Sequence, residues 1–180
     1  MELRPIYRGT VDADYAEEIN KESFPDNEYV PLSDLLSAVE NGDMEILGIY
    51  TEYGFSGFLM VRKWTDFVYI CFFAVKKELR SHGIGTAALH SLKDYYDGLE
   101  LTVDYEAPDE SCPNNEQRIR RQEFYRRCGF CTTGWYQFYM NCEFEIASTQ
   151  VPFNKESFES LNAFIHSRVP QFDPHLYRKD

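Results

Sequence analysis

Seven consecutive residues, Arg80-Ser81-His82-Gly83-Ile84-Gly85-Thr86, have the types and spacing to hold an anion. Gly83 and Gly85 carry no Cβ, so a bound group can come close to the backbone. After them, Ile84, Ala88, Leu92 and Tyr95 recur at steps of three or four, which marks one face of a helix. Before them, Phe67–Val75 is almost free of polar side chains and rich in aromatic and β-branched residues. That composition predicts a strand buried on both faces. The first amides of a helix have no partner within it and point out of its N-terminus. A phosphate held there gains those hydrogen bonds and the positive end of the helix dipole. Two glycines on their own also fit an ordinary turn.

Two other patterns compete for the chemistry. Gly83-Ile84-Gly85-Thr86-Ala87-Ala88 fits G-x-G-x-x-A, with Asp104 about where a ribose-binding acid would stand in a dinucleotide-binding protein. In that motif the first glycine follows its strand almost at once, whereas here Lys76–His82 intervene. Cys128-Gly129-Phe130-Cys131 has the spacing of a redox pair. Such pairs open a helix, where the dipole lowers the thiol pKa; this one closes a helix and opens a strand. The other cysteines, Cys71, Cys112 and Cys142, add neither a disulfide framework nor a second pair of zinc ligands. Packing thiols and no metal are expected.

The elements that position these residues follow from the rest of the chain. Its 180 residues, 43% of them hydrophobic, suffice for one domain with a real core. No apolar run approaches the roughly 18 residues that cross a bilayer, and no apolar segment follows Met1–Pro5, so a cytoplasmic protein is expected. Leu3–Arg8 reads as a strand, Val11–Ser23 as a helix capped by Thr10, and Leu32–Glu40 as a second helix ended by Asn41-Gly42, with Pro25-Asp26-Asn27 as a breaker between them. Met44–Thr51, Phe55–Lys63 and Phe67–Val75 form an antiparallel meander. After the central helix, Leu99–Asp104 is a strand expected to run parallel to Phe67–Val75. Tyr105–Asn115 reads as a loop and Glu116–Arg127 as a weakly periodic helix. Phe130–Thr133 and Tyr136–Ala147 read as closing strands joined by Gly134. Lys155–Arg168 is a last helix, capped at Asn154, and Gln171–Asp180 is a polar tail with no assigned structure.

Arg80-x-x-Gly83-x-Gly85 matches the Arg/Gln-x-x-Gly-x-Gly/Ala motif of the GNAT acetyltransferase superfamily. About forty residues on, Phe124-Tyr125-Arg126-Arg127-Cys128-Gly129-Phe130 resembles that family's second signature, Phe/Leu-Tyr-x-x-x-Gly-Phe. The two motifs in this order are more specific than either alone. The resemblance covers about residues 3–148. It implies an α+β, single-domain GNAT fold: a mixed, mostly antiparallel sheet with two splayed central parallel strands flanked by helices. Residues 1–150 would form the acetyltransferase domain, with 151–180 a helix and tail packed on it.

The resemblance further implies acetyl-CoA as co-substrate. The loop Arg80, Ser81, His82, Gly83, Ile84, Gly85 and Thr86 would cradle its pyrophosphate, and backbone groups of Phe73 and Val75 would pair with the pantetheine arm. Tyr125 matches the family tyrosine that protonates the leaving thiolate; a tyrosine beside Phe124 also fits simple packing. Where some relatives carry a glutamate base, this chain has Tyr69, so Asp104 and Glu106 at the end of the neighbouring strand are the substitutes, acting through water. Where the family often has an asparagine before the tyrosine, Arg118 stands here; with Arg120 and Arg121 it either reaches CoA phosphates or solvates the helix. A non-catalytic acyl-CoA-binding module is the alternative.

The net charge of −12 argues against nucleic acid as a partner. The excess sits in residues 1–66, with 14 acidic and 5 basic residues. Asp12, Asp14, Glu17, Glu18, Glu22, Asp26, Glu28, Asp34 and Glu40 face a single Lys21 across Val11–Glu40. By resemblance this segment forms a wall of the acceptor cleft, and such a wall would draw a cationic amine or peptide. Solubility explains the same charge. The closing strands and Gln171–Asp180 offer a surface for a homodimer.

Overall fold

The computed structural model describes residues 1–24, 29–42 and 44–179. The expected breaker at Pro25-Asp26-Asn27 and the acids Asp26 and Glu28 lie outside the described residues. The chain divides into two compact units, Met1–Lys63 with Val68–Leu99, and Trp64–Phe67 with Glu100–Asp180. The α+β class, with a mixed and mostly antiparallel sheet, is the one expected. Among the described residues, no helix is long and apolar enough to cross a membrane.

The first unit contains strands β1 (Glu2–Pro5), β2 (Glu45–Thr51), β3 (Gly54–Lys63) and β4 (Phe67–Val75, from Val68 in this unit), paired antiparallel in that order. Helices α1 (Val11–Ser23) and α2 (Leu32–Glu40) precede β2, and α3 (Ile84–Tyr95) follows β4. Local chemistry fixes the helix starts. Thr10 accepts a hydrogen bond from the Ala13 amide, and Asp12 and Asp14 stand in the first turn of α1. Pro31, the residue before α2, gives it no side-chain cap, so Glu17 of α1 takes that part by accepting from the Leu32 amide at 3.0 Å. Ala13, Ala16 and Ile19 of α1 and Leu32, Leu35 and Leu36 of α2 pack with Ile46, Phe58, Met60 and Ala74 of the strands.

The buried face of α3 is Ile84, Ala88, Leu89 and Leu92. Tyr95, expected on that face, is largely exposed, and Tyr96 is buried instead. The helix ends at Tyr95, so a residue past its end need not follow its period.

The second unit contains β5 (Glu100–Glu106), β6 (Cys131–Tyr139), β7 (Cys142–Ser148) and β8 (His175–Arg178), in the antiparallel order β5-β7-β6-β8. Helix α4 spans Asn115–Arg127 and α5 spans Lys155–Arg168. The closing strands differ from expectation. Gly134 sits at a register shift inside one continuous β6, and the reversal comes at Met140-Asn141, both at positive φ. Two consecutive left-handed residues make the tight hairpin turn whose twist matches that of its strands. The tail, left unassigned by its sequence, forms β8 on the edge of β6, with Tyr177 and Lys179 both bonded to Glu143. Helix α5 starts at Asn154, which accepts from the Ser157 amide and donates to Asp66. Phe67 and Trp64 pack on Phe158 and Phe164 of the same helix.

One close approach shapes the end of β4. A Cβ at the buried Gly57 would lie 2.3 Å from the Ala74 carbonyl oxygen and 3.0 Å from the Val75 Cα. Neither backbone atom can swing aside. Gly57→Ala therefore costs about 1–3 kcal/mol, the range for overpacking a filled interior. Urea unfolding should show a lower midpoint at unchanged slope. A midpoint equal to the wild type would show that β3 and β4 do not need this contact.

Candidate active site

In the first unit, β4 hands the chain to α3 through a single 3₁₀ turn at Lys77–Leu79. The register pairs Phe58 with Ala74, and the Lys76 amide donates to the Ser56 carbonyl. Strand alternation then turns the backbone groups of Phe73 and Val75 away from β3. Those are the two residues expected to meet a pantetheine arm.

Beyond the 3₁₀ turn, Ser81 and Gly83 both adopt positive φ, at 66° and 77°. Gly83 is the N-cap of α3 and, having no side chain, makes no cap hydrogen bond to it. Its opening amides, beginning with Ile84 and Gly85, are the groups a helix leaves without internal partners. Three features of the loop suit a phosphate: a left-handed glycine, an N-cap residue with no side chain and no acid in the first turn of the helix.

Arg80 is placed differently from a simple phosphate-binding cation. Its Nε donates to the Val75 carbonyl and its Nη2 to Ser23 Oγ, each at 3.0 Å. It ties the loop to the end of β4 and to α1, and its charge stands beside the loop while doing so. Ser23 had no signal in the sequence. His82 is exposed, and its Nδ1 lies 2.8 Å from the Arg80 carbonyl.

In the second unit, Tyr125 is buried at 6% exposure. Its ring stacks on Tyr105 of β5, with centroids 5.4 Å apart and planes within 5°, and meets Phe124 and Phe130 edge-on. Burial pushes its phenol well above the ordinary value; Arg121 pulls it down, and Asp104 and Cys128 add to the rise. Burial therefore disfavours the phenolate and keeps the hydroxyl protonated.

The two carboxylates offered as bases have different fates. Glu106 is 7% exposed and accepts from Arg118 Nη2 at 2.7 Å and from Arg121 Nη1 at 3.4 Å, one guanidinium on each oxygen. Arg118 is equally buried and also donates to the Asn114 side chain and the Ala107 carbonyl. Neither role expected for Arg118 matches this, because its charge is consumed inside the unit. Asp104 is half-buried and accepts on Oδ2 from Gln137 Nε2 and from the Tyr139 hydroxyl, both at 2.8 Å. Arg120 pairs with Glu116 on the surface.

Removing one partner of a buried ion pair leaves the other charge stranded, which costs about 3–5 kcal/mol. Arg118→Met should therefore lower the unfolding free energy by about that much, and adding Glu106→Gln should recover most of it. Denaturant unfolding of the single and double variants checks this. A single variant as stable as wild type would mean that Arg121 alone satisfies Glu106.

Residues 12–130 match the family model described as the acetyltransferase (GNAT) family. Among solved structures, a protein from Bacteroides thetaiotaomicron assigned to that family superposes with a TM-score of 0.76 at 24% identity, over 95% of this chain and 99% of its own. An aminoglycoside 6′-N-acetyltransferase complexed with coenzyme A gives a TM-score of 0.64 at 13% identity, over 86% and 99%. The ribosomal-protein-S18-alanine N-acetyltransferase of Escherichia coli gives 0.60 at 16%, over 86% and 96%. At these identities the likeness is one of fold. No curated protein matches the chain. With the family model spanning well over half of its length and both motifs set in the elements they require, the chain belongs to the GNAT acetyltransferase family.

Proposed function

We propose that the protein transfers the acetyl group of acetyl-CoA to a primary amine on a cationic acceptor, by direct attack. The uncapped start of α3 behind the left-handed Gly83 is the observation that carries this reading. There the amides that begin at Ile84 hold the pyrophosphate, and Arg80 adds positive charge from the side. The backbone of Phe73 and Val75 takes the pantetheine arm as a further strand. Transfer needs a neutral amine, a stabilised oxyanion and a proton for the leaving thiolate. Tyr125 supplies that proton, and its raised pKa keeps it loaded. Asp104 receives the amine's proton through water. Glu106 is the weaker candidate, since two guanidinium groups occupy its oxygens.

The charge of the first helices supports a cationic acceptor only in part. Glu17 is committed to the Leu32 amide and to Tyr29, and Glu40 to Arg8. Asp14, Glu18, Glu22 and Asp34 remain exposed and carry the attraction. Two of the structural relatives are named for aminoglycoside and protein-alanine acceptors, and amines of both kinds belong in the assay.

The test is CoA release from acetyl-CoA with spermidine, an aminoglycoside and an alanine-terminated basic peptide. At least one should turn over, with kcat/KM falling as salt rises and the Debye length contracts to about 8 Å. Tyr125→Phe should lower kcat on the order of 10²–10⁴-fold at nearly unchanged CoA affinity. CoA binding without turnover of any amine would instead make the protein a binding module, and normal turnover in Tyr125→Phe would reduce that ring to packing.

A further inference from the structure

Asp104 is held by residues that lie beyond 130, where the match to the family ends. Gln137 of β6 is fully buried and donates its amide to Asp104 Oδ2 at 2.8 Å. Its carbonyl accepts from Asn162 Nδ2 of α5 at 3.0 Å. The polarity of this chain is forced. A carboxylate can only accept, so Gln137 must turn its nitrogen to Asp104 and its oxygen to Asn162. Asn162 must then present its nitrogen to Gln137, and its own Oδ1 is left buried with no partner among the described residues. The Tyr139 hydroxyl donates to the same carboxylate oxygen at 2.8 Å. That ring is itself clamped, stacked on Phe144 at 4.2 Å and met edge-on by Phe172 of the tail at 5.0 Å.

A core built for stability alone would not contain this. Two buried amides, one of them with an orphaned oxygen, cost more than leucine or methionine at the same positions. What they gain is the orientation of one carboxylate. Both donors are neutral, so they fix Asp104 in place without cancelling its charge.

We infer that Gln137 and Tyr139, backed by Asn162 and Phe172, are positioning residues that hold the Asp104 carboxylate in the one orientation that receives the acceptor's amine. This rests on the reading of Asp104 as the proton-receiving group of an acetyl transfer. The segment 131–178 thereby tunes how the acceptor is received, while the matched region supplies the parts for acetyl-CoA.

The test uses the fastest acceptor among spermidine, an aminoglycoside and an alanine-terminated basic peptide. Gln137→Met/Asn162→Leu removes both amides and the partnerless oxygen while Asp104 keeps the Tyr139 hydroxyl as a donor, so it should fold and bind CoA with equal affinity. Its kcat/KM for the acceptor should fall on the order of 10²-fold, the cost of misplacing a reacting group, at unchanged KM for acetyl-CoA. Tyr139→Phe, which deletes one hydroxyl, should lose less in the same direction. Placed on Asp104→Asn, neither change should lower the rate further, because there is no carboxylate left to orient. Unchanged kcat/KM in both variants, or losses that multiply on the Asp104→Asn background, would overturn the inference alone. A wild type that binds CoA and turns over no amine would overturn the acetyl-transfer reading and the inference with it.

Discussion

Backbone polar groups that leave one element must find partners in the next, and the passage from β4 to α3 is built around this constraint. The strand ends against a glycine whose missing side chain lets β3 come within contact of Ala74 and Val75. The Val75 carbonyl is met by Arg80, which reaches back from the loop. Ser81 and Gly83 then turn the chain through left-handed backbone, and Gly83, the N-cap of α3, has no side chain with which to cap its amides. A helix start left in this condition has unspent hydrogen-bonding capacity and the positive end of a dipole. In the proposed function an anionic ligand completes it.

The second unit solves a different problem, burial of charge. Helix α4 lies on its strands with Arg118, Gln122 and Tyr125, three residues on one helical face. Arg118 meets Glu106, Gln122 meets Glu145 at 2.7 Å, and Tyr125 lies flat on Tyr105. Buried ions need partners of fixed geometry, so these pairings admit few alternatives to the observed placement of the helix. The tyrosine is positioned by the same contacts that hold the helix, and its burial keeps it protonated.

Much of this was legible in the sequence where one kind of residue carries one kind of signal. Phe67–Val75 is a strand at the expected limits, and Thr10 and Asn154 cap the helices expected of them. The glycine loop stands between strand and helix as its motif requires. Legibility failed where polar residues do the packing. The buried face of α4 has almost no hydrophobic period because Arg118 and Gln122 occupy it, while the apolar Ile119 is exposed. The β6–β7 turn has no signal in the sequence because Met140 is not a turn residue by type, whereas Gly134 is and lies within β6. Strand β8 was missed because four residues on a sheet edge have no pattern of their own. The partners of Asp104 come from β6, a long step in sequence that no local spacing reveals.

In the proposed function the amides opening α3 bind the pyrophosphate of CoA. Titration of ¹⁵N-labelled protein with CoA reads those amides directly. Saturable shifts are expected at Gly83, Ile84 and Gly85 that exceed those at glycines outside the loop, such as Gly134 and Gly42. Saturable CoA binding that leaves the Gly83, Ile84 and Gly85 amides unmoved would contradict this reading.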